Sequence, residues 1–347
     1  MVISLGLNKE VSQKVTAAKD AARPLEISLT IIKDSSCKDC FDLTNTISSI
    51  KALNVKILDE KDLESSSSEA KSIISKYQIQ KLPTVIISGQ IDKFSDPAFE
   101  KKDDALVFLG ITPPYFDVAK NTVVGLVKMI VIKDSGCKDC NDINLFINQF
   151  ASLGVKIVDE QDLEYTQAAS LIQKYGITKV PTLVLSSDFG AYTSLVDAWS
   201  SVGNITSDGS YILTEINPPY RDLVKGKVIG LVKVIYLSDK SCESCYNVTL
   251  HRSILERLGL KVVSEENYDI SDTKGKELVS KYKITAVPTI IISPEAKDYP
   301  VVDQIWDQVG VVADDKSYVF TKLDVLGVTY KDLSSGEIKT AASVPAQ

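Results

Sequence analysis

A Cys-x-x-Cys pair recurs three times in the same setting, and no other feature constrains this chain as tightly. The copies are Ile31-Ile-Lys-Asp-Ser-Ser-Cys-Lys-Asp-Cys40, Val131-Ile-Lys-Asp-Ser-Gly-Cys-Lys-Asp-Cys140 and Tyr236-Leu-Ser-Asp-Lys-Ser-Cys-Glu-Ser-Cys245. In each, an apolar strand-like run ends in an Asp-containing turn, and the cysteine pair opens a helical pattern. The first cysteines, Cys37, Cys137 and Cys242, lie 100 and then 105 residues apart. A repeat of that size can bury a self-sufficient core without a covalent staple. All six cysteines fall in these pairs. A secreted disulfide scaffold would scatter them across long loops, so these cysteines read as kept for chemistry.

Around each pair the same elements follow in the same order. Leu25 to Ile32 alternates as a first core strand. After Cys40, Leu43, Ile47, Ile50 and Leu53 mark one face of a helix. Asn54 to Asp59 reads as a second strand, and Ser65 to Ser68 is a linker rich in helix N-cap candidates. A second helix carries Ile73, Ile74 and Tyr77 and leads to Leu82-Pro83-Thr84 and the strand Val85 to Ile87. The second repeat restates this through Val155 to Glu160, Gln173 to Ile177 and Val180-Pro181-Thr182. The third does so through Leu260 to Val263, Ser280 to Ile284 and Val287-Pro288-Thr289. From second cysteine to proline the separations are 43, 41 and 43 residues.

Thr112-Pro-Pro-Tyr115 and Asn217-Pro-Pro-Tyr220 stand between repeats, with a reduced copy at Val328-Thr-Tyr330. Consecutive prolines fix φ and resist helix, so these read either as stiff joints between domains or as the closing turn of each. Val124-Gly-Leu-Val-Lys128 and Ile229-Gly-Leu-Val-Lys233 then begin the next repeat as its first strand. The resulting division is a lead-in helix over 1–23, domains over 24–112, 113–216 and 217–339, and a disordered tail over 340–347.

The net charge of −7 and the lack of any basic cluster argue against nucleic acid and anionic lipid as partners. Nothing in the chain reaches the run of about 20 apolar residues needed to span a membrane. The apolar start Met1 to Leu7 leaves two readings, a cytoplasmic N-terminus or the end of an anchor lying outside this sequence; the second, extracytoplasmic reading is the one favoured.

Strand, CxxC, helix and a distant x-Pro-Thr together resemble the thioredoxin superfamily. The segments Lys76 to Thr84, Lys174 to Thr182 and Lys281 to Thr289, of form Lys-Tyr-x-Ile-x-x-x-Pro-Thr, look like that family's approach to its cis-proline loop. The resemblance covers about 80 residues of each repeat. It implies an α/β fold class of three tandem thioredoxin-like domains, each a central mixed sheet flanked by helices. It also implies that Pro83, Pro181 and Pro288 are cis and, with Leu82, Val180 and Val287, line a substrate groove facing the cysteines. The function implied is thiol–disulfide exchange on protein or peptide thiols and disulfides, served by a redox partner and no bound organic cofactor. Cys37, Cys137 and Cys242 would attack, and Cys40, Cys140 and Cys245 would resolve. A helix N-terminus at the first cysteine would favour its thiolate.

Three departures from the family pattern stand out. Ser36, Gly136 and Ser241 replace a Trp before the first cysteine. Lys38-Asp39, Lys138-Asp139 and Glu243-Ser244 replace Gly-Pro between the cysteines. Ile31, Val131 and Tyr236 occupy the place of a buried acid, leaving Asp34, Asp134 and Asp239 to substitute for it or to shape the turn. Glu243 opposes the Cys242 thiolate where Lys38 and Lys138 favour theirs, so Cys242 is expected to have the highest thiol pKa and its disulfide the lowest potential.

Two other functions remain open on sequence. A CxxC supplies two soft ligands, so pooled pairs could hold zinc, or one pair Cu(I). Three inert disulfides could instead stiffen a binding array. The sole histidine, His251, is expected at the surface or boundary of its helix, and Trp199 and Trp306 in the core. No Ser/His/Asp set, phosphate-cradling loop or paired-carboxylate site is present.

Overall fold

The computed structural model describes residues 23–340. The lead-in helix expected over 1–23 and the tail expected over 340–347 therefore lie outside the described residues, save for Arg23 and Thr340. The first repeat contains β1 (Leu25–Lys33), α1 (Thr44–Lys51), β2 (Val55–Glu64), α2 (Ser68–Tyr77), β3 (Lys81–Leu82), β4 (Thr84–Gly89), β5 (Phe99–Lys102) and β6 (Ala105–Phe108). Its sheet runs β2-β1-β4-β6-β5, with β1 and β2 parallel and the other pairs antiparallel. The corresponding strands of the second and third repeats form five-stranded sheets in the same order.

Alternation along β1 decides the layers. Ile27, Leu29 and Ile31 point to one face, where Ile50 of α1 joins Val85, Ile87 and Phe108. Ile32 turns to the other, where Ala70 and Tyr77 of α2 join Leu82, Ile86 and Val107. Ile27, Leu29 and Ile32 are all but fully buried, each contributing about 1.5–3 kcal/mol by transfer from water. Each repeat is thus a mixed sheet between helices.

The Lys-Tyr-x-Ile phrase that leads to the proline is a clasp. Lys76 and Tyr77 both bind Asp104 in the turn between β5 and β6, at 2.8 and 2.9 Å. Lys174 and Tyr175 hold Asp208 in the same way, and Lys281 and Tyr282 hold Asp315. The residue after the tyrosine ends the helix in the left-handed region: Gln78 at φ 52°, Gly176 at 62° and Lys283 at 53°. Only the second repeat places glycine there, and the other two carry a Cβ in a conformation that disfavours it. Gln78→Gly is expected to stabilise the first repeat by about 0.5–1 kcal/mol, read as a higher urea midpoint; a lower midpoint would contradict this.

Trp199 and Trp306 are buried as expected, each edge-on to a tyrosine, Tyr211 and Tyr318. The indole N–H groups donate to the carbonyls of Asn204 and Val311. The helices that carry them, Thr193–Trp199 and Pro300–Val309, have no counterpart between β4 and β5, where Phe94, Phe99 and Phe108 pack on one another instead.

The Pro-Pro-Tyr stretches are closing hairpins, the second of the two readings above. β7 (Tyr115–Asp117) and β8 (Thr122–Val124) fold back so that Phe116 pairs with Leu82 and Asp117 with Lys81. Tyr220–Asp222 pairs likewise with Lys179–Val180, and Thr329–Asp332 with Ala286–Val287. Strand pairing thus assigns residues 115–124 and 220–229 to the preceding repeat, past the divisions at 112 and 216. Val124 ends a hairpin, and the long strand of the second repeat begins at Leu126. Gly125, at φ 89°, separates them because a Cβ there would lie 2.7 Å from Pro113; Gly230, at φ 81°, has the same task against Pro218. By compactness alone the chain divides into two units, Met1–Lys128 with Gln149–Asp159 and Leu185–Ala198, and Met129–Asn148 with Glu160–Val184 and Trp199–Gln347. The three five-stranded sheets, each with its three-stranded hairpin sheet, express the threefold repeat rather than compactness.

Candidate redox centres

Each cysteine pair forms a disulfide within its own motif, Cys37–Cys40, Cys137–Cys140 and Cys242–Cys245, with Cα atoms 5.4 Å apart in all three. The pairs lie in turns rather than on the first turn of a helix. The helices begin only at Thr44, Asn144 and Leu250, which corrects the expectation that a helix dipole acts directly on the first cysteine. Two causes, one local and one distant in sequence, hold the helix back. Asp42, Asp142 and Asn247 bend the chain by accepting the N–H two residues on, at 2.9–3.0 Å. The N–H after the second cysteine is also taken: Phe41 and Asn141 donate it to the carbonyls of Pro114 and Pro219, and Tyr246 to that of Thr329. The Pro-Pro stretch therefore belongs to the centre, a role its sequence did not disclose.

Leading into each pair, the acid three residues before the first cysteine shapes the turn. The backbone carbonyls of Asp34, Asp134 and Asp239 accept the N–H of Cys37, Cys137 and Cys242 at 3.0–3.1 Å. One carboxylate oxygen of each accepts the N–H of Ser36, Gly136 or Ser241 at 2.8–3.0 Å. The other oxygen finds a different partner in each repeat. In the first it accepts from Ser65 Oγ, in the second from Arg221 Nε, and in the third from Lys331 Nζ at 2.6 Å. For Asp34 and Asp239 burial works against the charge, but the hydrogen bonds outweigh it and hold both carboxyls below their ordinary value.

On the opposite side stands the proline strand. The Leu82–Pro83, Val180–Pro181 and Val287–Pro288 bonds are cis, and so are Pro113–Pro114 and Pro218–Pro219. Leu82, Val180 and Val287 are fully buried. Their side chains serve the core, and in the third repeat the backbone faces the cysteines, with Cys245 Sγ 4.0 Å from the Val287 carbonyl. The threonine after each proline is buried too and caps the sheet, Thr84 to the Phe108 carbonyl, Thr182 to Leu213 and Thr289 to Phe320. In the second repeat a groove of about 210 Å³ opens between Asn141, the residue after Cys140, and Pro181, lined also by Phe146, Leu213 and Ile216 among others.

The third centre differs in packing. Cys242 is only 7% exposed, whereas Cys37 and Cys137 are half-buried. His251, contrary to its expected surface or boundary position, is 3% exposed and packs edge-on to Phe320 with ring centroids 4.7 Å apart. Tyr246 donates to the Pro288 carbonyl at 3.0 Å, which leaves the His251 Nε2–H to donate to the phenol oxygen at 2.9 Å. Burial pushes the imidazole down to about 4 and the phenol well above its usual range. Tyr236, at the place of the missing buried acid, is 2% exposed and donates to Glu265 at 2.7 Å. Among the described residues no cluster of three or more His, Cys, Asp or Glu side chains converges, and no helix is long and apolar enough to cross a membrane.

Comparison with known proteins adds likeness at low identity. The crystal structure of ERdj5, form II, matches over 80% of this chain at 13% identity and a TM-score of 0.17; the chain spans 39% of that structure's length. The N-terminal domain of alkylhydroperoxide reductase AhpF from Enterococcus faecalis matches over 49% of this chain and 83% of its own, at 22% identity and a TM-score of 0.18. A protein disulfide oxidoreductase from Aeropyrum pernix matches over 49% and 77%, at 14% identity and a TM-score of 0.16. No family model and no curated protein matches. The architecture rests on the chain's own geometry: a shared sheet order, a disulfide turn after the first strand, and an x-Pro-Thr strand opposite it. On that geometry the chain consists of three tandem thioredoxin-like α/β domains.

Proposed function

We propose that the chain is a thiol–disulfide oxidoreductase for protein or peptide substrates, with no bound organic cofactor. The observation that carries this reading is the same disulfide turn beside the same proline strand in all three repeats. In the reducing direction Cys37, as thiolate, attacks one sulfur of a substrate disulfide and the other substrate sulfur leaves as thiolate. Cys40, deprotonated, then attacks Cys37 Sγ, and the first substrate sulfur departs. Two electrons pass to the substrate and the chain is left as the Cys37–Cys40 disulfide. Cys137 with Cys140, and Cys242 with Cys245, have the same parts. The proline strand supplies backbone carbonyls and a groove where an extended peptide can lie against the sulfurs.

Cys40→Ser should trap the first step. Incubated reduced with a disulfide-containing protein such as insulin, the variant is expected to accumulate a mixed disulfide through Cys37, visible as a mass increase that reductant removes. Six titratable thiols after reduction, with reversible turnover by the unaltered chain, complete the expected result. Thiols that reoxidise normally while neither turnover nor trapping occurs would reject catalysis and favour an inert array. Stoichiometric metal that protects the thiols would favour a soft-metal site.

A further inference from the structure

Centres 1 and 2 carry the same Cys-Lys-Asp-Cys, and their charged surroundings match almost position by position. Asp34 corresponds to Asp134, and Glu64 and Glu164 each accept the N–H of the serine that follows that acid, at 2.8 and 3.0 Å. Asp39 pairs with Lys156 at 2.8 Å and Asp139 with Lys261 at 3.2 Å, both exposed and about half accessible. One charge breaks the match. The hairpin residue paired with the one before the cis proline is Phe116 in the first repeat and Arg221 in the second.

Arg221 is held for this contact. Its Nε donates to Asp134, whose side chain is 5% exposed, its guanidinium lies 5.3 Å from the Tyr165 ring centroid, and its Nη1 donates to the Gly226 carbonyl. In the first repeat Ser65 stands where Tyr165 does, each donating its N–H to Lys33 or Lys133, and its hydroxyl is the partner Asp34 finds in place of a cation. Asp34 thus keeps its full negative charge beside the Cys37 turn, while Asp134 beside the Cys137 turn is neutralised by a fixed, largely buried partner. In the third repeat Lys331 occupies the hairpin position and reaches Ser241, next to Cys242, at 3.3 Å.

We infer that this hairpin position sets the charge felt by the first cysteine, and that Arg221 is a positioning residue making Cys137 richer in thiolate than Cys37 at the same pH. A half-buried negative charge such as that of Asp34 disfavours a neighbouring thiolate, and a neutral pair does not. This rests on the redox reading above for its purpose, but its test needs no substrate.

The fully reduced chain is alkylated with iodoacetamide across a pH series, and each cysteine peptide is quantified by mass spectrometry. In the unaltered protein the pH of half-maximal reactivity is expected to lie about one unit lower for Cys137 than for Cys37, a tenfold difference in thiolate at equal pH. Arg221→Phe should raise the Cys137 midpoint and Asp134→Asn should lower it. Asp134→Asn with Arg221→Phe should return it close to the starting value. Phe116→Arg should lower the Cys37 midpoint. Opposite signs for the two single variants separate charge from loosened packing, which would shift both the same way. Arg221→Lys, which keeps the charge if Phe fails to fold, should leave the midpoint within about 0.3 unit. Equal midpoints for Cys37 and Cys137, or same-sign shifts for Arg221→Phe and Asp134→Asn, overturn the inference. Expected shifts in a chain that exchanges nothing with insulin would uphold it while rejecting the proposed function.

Discussion

Lowering the pH from 7 to 5 is expected to destabilise the third repeat by about 2 kcal/mol through one side chain, His251. The imidazole titrates near 4 in the folded chain against 6.5 when unfolded, and burial among Tyr246 and Phe320 is the cause. A base whose folded pKa is depressed contributes stability that is complete above the unfolded value and lost as pH falls towards the folded one. The window is therefore pH 6.5 to about 4, and the full loss is on the order of 3 kcal/mol. Asp239, Asp269 and Asp315 lose their contribution only below the ordinary carboxylate value of 3.8, since hydrogen bonds outweigh burial and hold all three lower. Histidine occurs once in the chain, so the signal has a single source. Urea unfolding followed by Trp306 fluorescence, in a Trp199→Phe background, reads the third repeat. The midpoint should fall steadily between pH 6.5 and 4.5, and His251→Gln should flatten the slope. An unchanged midpoint between pH 7 and 5 would show that His251 titrates normally and is not held neutral by its surroundings.

The second large effect separates the three centres in exchange. Replacing Cys37 and Cys137 together by serine is expected to cost at least about tenfold in turnover with a protein disulfide, whereas Cys242→Ser should cost less than about twofold. Cys242 is 7% exposed and followed by Glu243, which opposes its thiolate; Cys37 and Cys137 are half-buried and followed by Lys38 and Lys138. Lys331 neutralises Asp239 as Arg221 does Asp134, but at Cys242 burial restricts the approach of a substrate sulfur and, together with Glu243, disfavours the thiolate, so attack is slower. The same reasoning gives the Cys242–Cys245 disulfide the lowest potential of the three. Separate redox titration of the three peptides in a glutathione series would measure it, and a highest potential for the third centre would sink that ordering.

Much of the architecture was legible because it is local and written three times. β1 was found within one residue by its alternation, α2 by Ile73, Ile74 and Tyr77, and its N-cap among the serines, where Ser67 accepts from Ala70. The sequence pattern places the start of α1 too early because the signal that delays it is partly distant. Asp42 could have been read as a cap, but the Pro114 carbonyl that takes the Phe41 N–H comes from a hairpin more than seventy residues on. His251 departs from its expected position for a related reason. On an eight-residue helix a polar side chain looks exposed until Phe320 and Tyr246 are known to enclose it.

By itself the sequence determined the threefold repeat, the two cysteines that pair in each copy, the mixed sheet between helices, and the proline strand that returns to the cysteines. The repeat and the cysteine pairs follow from periodicity and spacing, which short-range sterics and apolar burial enforce within one repeat; the mixed sheet and the proline facing the cysteines are what the resemblance to thioredoxins implies. Only the tertiary structure decided what electrostatic company each centre keeps. Asp134 and Arg221 are 87 residues apart and Asp239 and Lys331 are 92 apart, while the equivalent of those cations in the first repeat is Phe116. Two motifs with the same four residues thereby acquire different local charge. Charge acts through space, and the hairpin after the Pro-Pro turn brings that space together.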